Sequence, residues 1–235
     1  MTTAPVDHLV TLAALQEQFR STIDEVDPTA PVPWCGRWKV RDLVEHLARV
    51  HHWAAAQAAR TPEVPLGRGP FDLAPFYAEQ AAELHATLTR LGPDAIGSTL
   101  NGPGPASFWY RRQVHETLVH LWDLRTAGHL TLDADPTLWA DTVDEVVTVM
   151  FPRQVRLGRT PVLERPLTLV ADDAPRRWTL ATADETTDNA ALTVTGSAEA
   201  LALLLWGRTT PDDPRLSVDG DRPWLTQVLA RPLTP

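Results

Sequence analysis

Residues 111–128 read RRQVHETLVHLWDLRTAG, and this stretch combines the pattern of a buried helix with an unusual set of polar side chains. We predict a helix over residues 108–127 that ends at Gly128, because glycine commonly follows the last turn of a helix. Two histidines, a glutamate and an aspartate fall within nine positions of this helix, from His115 to Asp123. A metal site explains that set, and so does an ordinary polar surface stripe.

The chain on either side of this helix is also mostly helical as far as residue 154. Apolar residues recur at spacings of three and four in residues 5–25, 39–60 and 72–91, which is the pattern of amphipathic helices. Segments rich in proline and glycine separate these helices and predict loops. A further helix is predicted over residues 136–154. The first part of the chain is therefore expected to form a helical bundle.

After residue 156 the sequence changes to short runs rich in threonine, valine and leucine. The runs RPLTLVADD, RRWTLAT and AALTVTG are typical of strands joined by turns. SAEALALLLWGR predicts a helix with a serine cap, RLSVDGD a further strand and RPWLTQVLAR a closing helix. We therefore predict an α+β fold with two domains, a helical bundle at residues 1–155 and a small α+β domain at residues 156–235.

The bulk composition limits the classes of partner and the compartment. The net charge is −9 and no run of basic residues occurs, so we expect no binding to nucleic acid or to an anionic membrane surface. No stretch is apolar over the length that crosses a bilayer, and residues 1–20 make a poor signal peptide. Cys35 is the single cysteine, which excludes an intramolecular disulfide. These features predict a cytoplasmic protein, either a monomer or a homodimer.

Spacing within the helices favours one candidate metal site. Glu116 and His120 are four residues apart, so their side chains lie on one face of the helix, one turn apart. His46 lies within the apolar stripe of the helix predicted at residues 39–60 and offers a third ligand. Two imidazoles and a carboxylate suit zinc or a similar transition metal and leave a coordination position open. Asp123 is placed to accept a hydrogen bond from a ligand histidine and fix its tautomer.

Two other interpretations of these residues stay open at this point. Glu116 and His120 also suit a surface pair that stabilises the helix by a few tenths of a kcal/mol, and His46 suits a histidine at the edge of the core. His51 and His52 compete with His46 for the third ligand. They point away from His46 by roughly 140° and 240° around a regular helix, so neither is expected to share an ion with it.

Two motifs resemble those of a known family. VPWCGRWKVRDLVEHLARVHHWA and FWYRRQVHETLVHLWDLRTAG are similar to the two signatures of the mycothiol-dependent maleylpyruvate isomerase family. The C-terminal segment LTVTGSAEALALLLWGRTTPDDPRLSVDGD is similar to the small α+β domain of its two-domain members. The resemblance implies a DinB-like four-helix bundle followed by a sterol-carrier-like domain. It also implies a divalent metal, usually zinc, held at the positions of His46, Glu116 and His120.

The resemblance further implies a reaction. Members of the family bring mycothiol, a small bacterial thiol, to the metal, which holds it as the nucleophilic thiolate. The thiolate adds to a small electrophilic substrate, giving either cis–trans isomerisation or S-transfer. An anionic substrate needs cationic anchors, and the resemblance points to an arginine of the C-terminal domain, Arg222 first and Arg208 second. Trp53 lies seven residues beyond His46 and is a candidate for the wall of the same cavity.

The sequence leaves two functional hypotheses. The first is an enzyme, a mycothiol-dependent isomerase or S-transferase. The second is a non-catalytic protein of the same fold that binds a metal or a small ligand without turnover. Thiol-dependent turnover distinguishes them, whereas metal content alone does not.

Overall fold

The structure is a computed structural model that describes residues 6–180 and 192–235. It has the predicted α+β class, with helices in the first part of the chain and a four-stranded sheet in the second. The chain divides into two compact units, of which the first ends at Leu132 and the second begins at Asp133. Within the described residues, no helix is both long and apolar enough to cross a membrane.

Four long helices form a bundle in the first unit. They are α1 (His8–Ile23), α2 (Val40–Ala59), α3 (Leu73–Leu91) and α4 (Ser107–Ala127). Helix α1 packs against α3 and α4, and α2 packs against the same two helices. The apolar stripes predicted from the sequence face the core, where Phe19, Leu43 and Leu84 are fully buried. Burial of such side chains contributes about 1.5–3 kcal/mol each.

A short hairpin connects α3 to α4 and packs against α2. Strands β1 (Ile96–Thr99) and β2 (Gly102–Pro105) pair antiparallel. Gly97 approaches the backbone of α2 so closely that a Cβ atom there would lie 2.7 Å from the carbonyl oxygen of Ala58. The sequence predicted a break in this segment but not strands, because glycine and proline make up half of residues 96–105 and disfavour the strand interior.

The second unit contains the four-stranded sheet. Strands β3 (Leu167–Ala171), β4 (Arg177–Leu180), β5 (Leu192–Gly196) and β6 (Leu216–Asp219) lie in the order β4-β3-β5-β6. The central pair β3 and β5 is parallel and the two outer pairs are antiparallel. Parts of two predicted strand segments, at residues 181–182 and 190–191, lie outside the described residues.

Helices complete the second unit. The helix predicted over residues 136–154 consists of α5 (Pro136–Glu145), a π-helical turn (Val146–Met150) and α6 (Phe151–Arg156). The turn ends just before Pro152, whose ring does not fit a regular helix interior. Helices α7 (Ala198–Leu205) and α8 (Arg222–Leu229) begin at the predicted serine and at an aspartate, whose side chains accept hydrogen bonds from backbone N–H groups.

The boundary between the units differs from the predicted domain boundary at 155/156. Helix α5 packs against α7, so it belongs with the sheet and not with the bundle. The sequence could not show this, because an apolar helical stripe specifies that a helix has a buried face but not which neighbour covers it.

Candidate metal centre

Helix α4 places two of the predicted ligands on its buried face. Glu116 and His120 lie one turn apart, and the Nε2 atom of His120 is 3.3 Å from the Oε1 atom of Glu116. Both side chains are buried, with exposed fractions of 5% for His120 and 9% for Glu116. The polar stripe of α4 therefore faces the interior of the bundle, and the interpretation of Glu116 and His120 as a surface pair does not describe this structure.

Helix α2 brings the third predicted residue to the same place. The Nε2 atom of His46 lies 3.6 Å from the same carboxylate oxygen, Oε1 of Glu116. The ligand atoms of His46, Glu116 and His120 all lie within 4.8 Å of one another. The side chain of His46 is 35% exposed, so the side of the cluster formed by His46 is the most open to solvent.

The spacing of these atoms fits a transition metal. Zinc binds imidazole nitrogen and carboxylate oxygen at about 2.0–2.2 Å in tetrahedral geometry, which separates neighbouring ligand atoms by about 3.3–3.6 Å. The two distances to Oε1 of Glu116 match that separation closely. Both imidazoles present Nε2 to the cluster. Two nitrogens and one oxygen are a donor set that suits zinc better than magnesium or calcium.

Asp123 fixes the orientation of the His120 ring through the nitrogen that does not face Glu116. Its Oδ2 atom lies 2.9 Å from Nδ1 of His120, and the aspartate is fully buried. The thiol of Cys35 donates to the same oxygen over 3.7 Å. Since a carboxylate oxygen accepts here, Nδ1 of His120 carries a proton and Nε2 is the atom left for an ion.

Electrostatics at the centre maintain a negative Glu116 beside a basic His120. Burial alone would raise the pKa of the Glu116 carboxyl, but the guanidinium of Arg112 and the two histidines hold that pKa well below its usual range. For His120, burial lowers the pKa, yet the hydrogen bonds to Asp123 and Glu116 outweigh it and raise the pKa to about 9. Without an ion, a proton bound to His120 therefore pairs with the two carboxylates.

An aromatic ring contacts the most exposed residue of the cluster. The ring of Trp38 packs on that of His46 at a centroid distance of 4.8 Å. Trp53, the predicted wall residue, instead makes an edge-on contact with Trp109 at 5.1 Å. The tryptophan in contact with a candidate ligand is thus Trp38, and the role of Trp53 stays a prediction.

The competing histidines of α2 have other partners. His51 is fully buried, with Nδ1 2.8 Å from Oε1 of Gln113 and Nε2 3.4 Å from the hydroxyl of Tyr77. His52 lies 2.6 Å from a carboxylate oxygen of Glu83. Among the described residues, neither belongs to a group of side chains spaced to hold an ion.

The two predicted substrate anchors lie in the second unit. Arg222, at the start of α8, pairs with Asp212 at 2.6 Å, and both side chains are exposed. Arg208 donates to the backbone carbonyl of Trp206 at 2.8 Å. Their role toward a substrate stays a prediction.

Two models of one protein family match most of the chain. A model of the mycothiol maleylpyruvate isomerase N-terminal domain matches residues 11–125, and a model of the C-terminal domain of the same family matches residues 137–227. The chain belongs to the mycothiol-dependent maleylpyruvate isomerase family. The N-terminal match includes all three residues of the cluster, and the family inferred from the two sequence motifs is confirmed.

Individual relatives in this comparison are distant. Two crystal structures of the mycothiol-dependent maleylpyruvate isomerase, one of them of a histidine-to-alanine mutant, superpose with TM-scores of 0.71 and 0.69 at 15% and 14% identity. Each superposition covers 94% of this chain and 98% of the other chain, which shows a shared fold. Uncharacterized proteins from two strains of Mycobacterium tuberculosis are 25% identical over 171 residues, covering 68% of this chain and 89% of theirs.

One charged residue of the candidate centre was not predicted from the sequence. Arg112 is buried and pairs with Oε2 of Glu116. The signal was present, because Arg112, Glu116 and His120 follow one another at intervals of four residues and so share a helix face. The contacts of Trp38 and Cys35 had no such signal, since both residues lie in the irregular segment before α2.

Proposed function

We propose that this protein is a metal-dependent thiol enzyme that uses mycothiol, or a thiol like it, to act on a small electrophilic substrate. The observation that carries the proposal is the convergence of Nε2 of His46, Oε1 of Glu116 and Nε2 of His120. Membership of the mycothiol-dependent maleylpyruvate isomerase family supports it independently of the geometry. The three side chains would hold one divalent ion, with zinc as the first candidate because of the donor set.

A bound divalent ion at this position would lower the pKa of a thiol and favour its nucleophilic thiolate form. The protein residues supply the remaining requirements. Asp123 holds Nδ1 of His120 protonated, so that Nε2 keeps its lone pair. Glu116 supplies the negative charge, and its burial with His120 limits access of water from the side of α4. Because His46 is the most exposed of the three, the thiol and the electrophile approach from its side.

The reaction class that we propose is thiol addition followed by either of two outcomes. In isomerisation, the thiolate adds to one carbon of a C=C bond conjugated with a carbonyl, and the π electrons move onto that carbonyl as an enolate. Rotation about the resulting C–C single bond follows, and collapse of the enolate re-forms the double bond and expels the thiolate. In S-transfer, the new carbon–sulfur bond is kept. Isomerisation is the first candidate, because the family takes its name from that activity. Arg222 and Arg208 remain the proposed anchors for an anionic substrate.

The test uses purified protein in three steps. Elemental analysis should give about one equivalent of a divalent metal per chain. Incubation of the loaded protein with mycothiol and a panel of unsaturated diacids should give thiol-dependent turnover. His120→Ala should lose both metal and turnover, whereas His85→Ala, a histidine of α3 outside the cluster, should keep both. Full metal loading without turnover for any combination of thiol and electrophile would overturn the proposal of an enzyme. It would leave the alternative of a non-catalytic metal-binding protein.

A further inference from the structure

The two oxygens of the Glu116 carboxylate face different partners. Oε1 faces the Nε2 atoms of both histidines, at 3.6 Å from His46 and 3.3 Å from His120. Oε2 pairs with the Nη2 atom of Arg112. Arg112 lies one turn before Glu116 on α4 and is only 4% exposed, so its guanidinium is confined beside the carboxylate.

We infer that Arg112 is a positioning residue that occupies Oε2 of Glu116, so that the carboxylate offers a single oxygen to an ion and a coordination position stays open for a thiolate. The inference rests on the proposed function, because it concerns the same centre. It goes beyond that function by assigning a role to a side chain that is not itself a ligand.

Carboxylate chemistry explains why such a residue is needed. A glutamate can bind a metal through one oxygen or through both. A catalytic site needs three protein ligand atoms and one free position, and a second oxygen of Glu116 would compete with the thiolate for that position. A guanidinium donates charge-assisted hydrogen bonds in a fixed plane and is always protonated. Arg112 can therefore hold Oε2 at any pH at which the protein is folded.

A merely structural role for Arg112 makes a different prediction. If the guanidinium only neutralised a buried carboxylate, its removal would lower stability and metal affinity together, without changing how Glu116 binds the ion. The coordination number of the ion and its affinity for a thiol separate the two roles, because neither quantity reports on folding.

Co²⁺ is the probe for this experiment, since the intensity of its visible d–d absorption falls as the coordination number rises above four. Wild-type protein loaded with Co²⁺ should show an intense band, and added 2-mercaptoethanol should give a sulfur-to-cobalt charge-transfer band. Arg112→Met should weaken the d–d band and lower the affinity for 2-mercaptoethanol by at least about tenfold, the scale typical of losing a partner of a metal ligand. Arg112→Lys should restore much of both signals.

Two further variants of α4 serve as a control and as a replacement. Arg111→Met removes a positive charge from the neighbouring position of α4 and should leave the Co²⁺ spectrum unchanged. If Arg112→Met does not fold, as judged by circular dichroism, Arg112→Gln replaces it and should change both signals in the same direction by less. A folded Arg112→Met or Arg112→Gln protein with the wild-type spectrum and thiol affinity would overturn the inference alone. A wild-type protein that binds no Co²⁺ would overturn the proposed function as well.

Discussion

Nδ1 of His120 and Oδ2 of Asp123 lie 2.9 Å apart, three residues from each other on the buried face of α4. This pair determines which nitrogen of His120 faces Glu116 and His46. The aspartate is fully buried and accepts from Cys35 as well, so its position is fixed from two sides. The candidate centre thus depends on side chains that are not themselves ligands.

We expect Asp123→Asn to lower zinc affinity by about 10–100-fold. The amide removes the negative charge that makes His120 more basic, and it no longer selects the tautomer with Nε2 free. Isothermal titration of the metal-free protein with Zn²⁺ measures the change. Asp24→Asn, at an exposed aspartate just after α1, is the matched control. Equal zinc affinity of Asp123→Asn and wild-type protein would show that the aspartate does not support the ligand.

Trp38→Ala should weaken zinc binding by about fivefold, and Trp38→Phe should restore it. His46 is the most exposed of the three candidate ligands, and the contact of its ring with Trp38 limits its rotation. Aromatic pairs of this kind contribute about 1 kcal/mol beyond their buried area. The same titration measures the effect, with the exposed Trp34 changed to alanine as control. A stronger effect at Trp34 than at Trp38 would contradict the assignment.

Arg112 and Glu116 should be strongly coupled in the stability of the metal-free protein. Removal of one member of a buried ion pair costs about 3–5 kcal/mol, because the other charge is left unpaired, whereas removal of both costs much less than the sum. We therefore expect Arg112→Met and Glu116→Gln each to lower the free energy of unfolding. The loss in the double variant should be much smaller than the sum of the two single losses. Urea unfolding of the four proteins measures it. Additive effects would mean that the two side chains do not interact.

His51 should make the stability of the protein depend on pH between about 6.5 and 4. Its burial lowers its pKa from 6.5 to about 4, despite the hydrogen bond to Gln113. Above pH 6.5 both folded and unfolded chains carry a neutral His51. As the pH falls below 6.5, His51 becomes protonated in the unfolded chain, whereas in the folded chain it stays neutral until about pH 4. Stability is therefore lost across this window.

The size of this effect follows from the shift in the pKa of His51. The loss reaches about 3 kcal/mol by pH 4, at 1.36 kcal/mol for each unit. Urea unfolding of wild type and His51→Gln at several pH values should show a smaller decline in the variant, which cannot titrate. His85→Gln should follow the wild type. Parallel pH profiles of wild type and His51→Gln would show that His51 is not held neutral by burial.

Periodicity in the sequence predicts much of this fold and part of the centre. The four bundle helices begin and end within a few residues of their predicted bounds, because apolar spacing and capping residues are local signals. Glu116 and His120 were found for the same reason, since a spacing of four residues on a helix fixes a shared face.

Features that depend on packing between distant segments were not predictable in this way. The assignment of α5 to the second unit depends on its contact with α7. The contact of Trp38 with His46 and that of Cys35 with Asp123 involve the segment before α2, whose path no periodicity specifies. His46, by contrast, was predicted, because its position in the apolar stripe distinguished it from the other two histidines of its helix. Arg112 was overlooked although its spacing of four residues from Glu116 signalled a shared helix face, because arginine is usually exposed.

The most direct test of the metal centre is anomalous diffraction from crystals of the zinc-loaded protein, recorded on both sides of the zinc absorption edge. We expect one strong anomalous peak at about 2.0–2.2 Å from Nε2 of His46, Oε1 of Glu116 and Nε2 of His120. A zinc peak elsewhere on the chain, with none between these three side chains, would contradict the assignment of the metal centre.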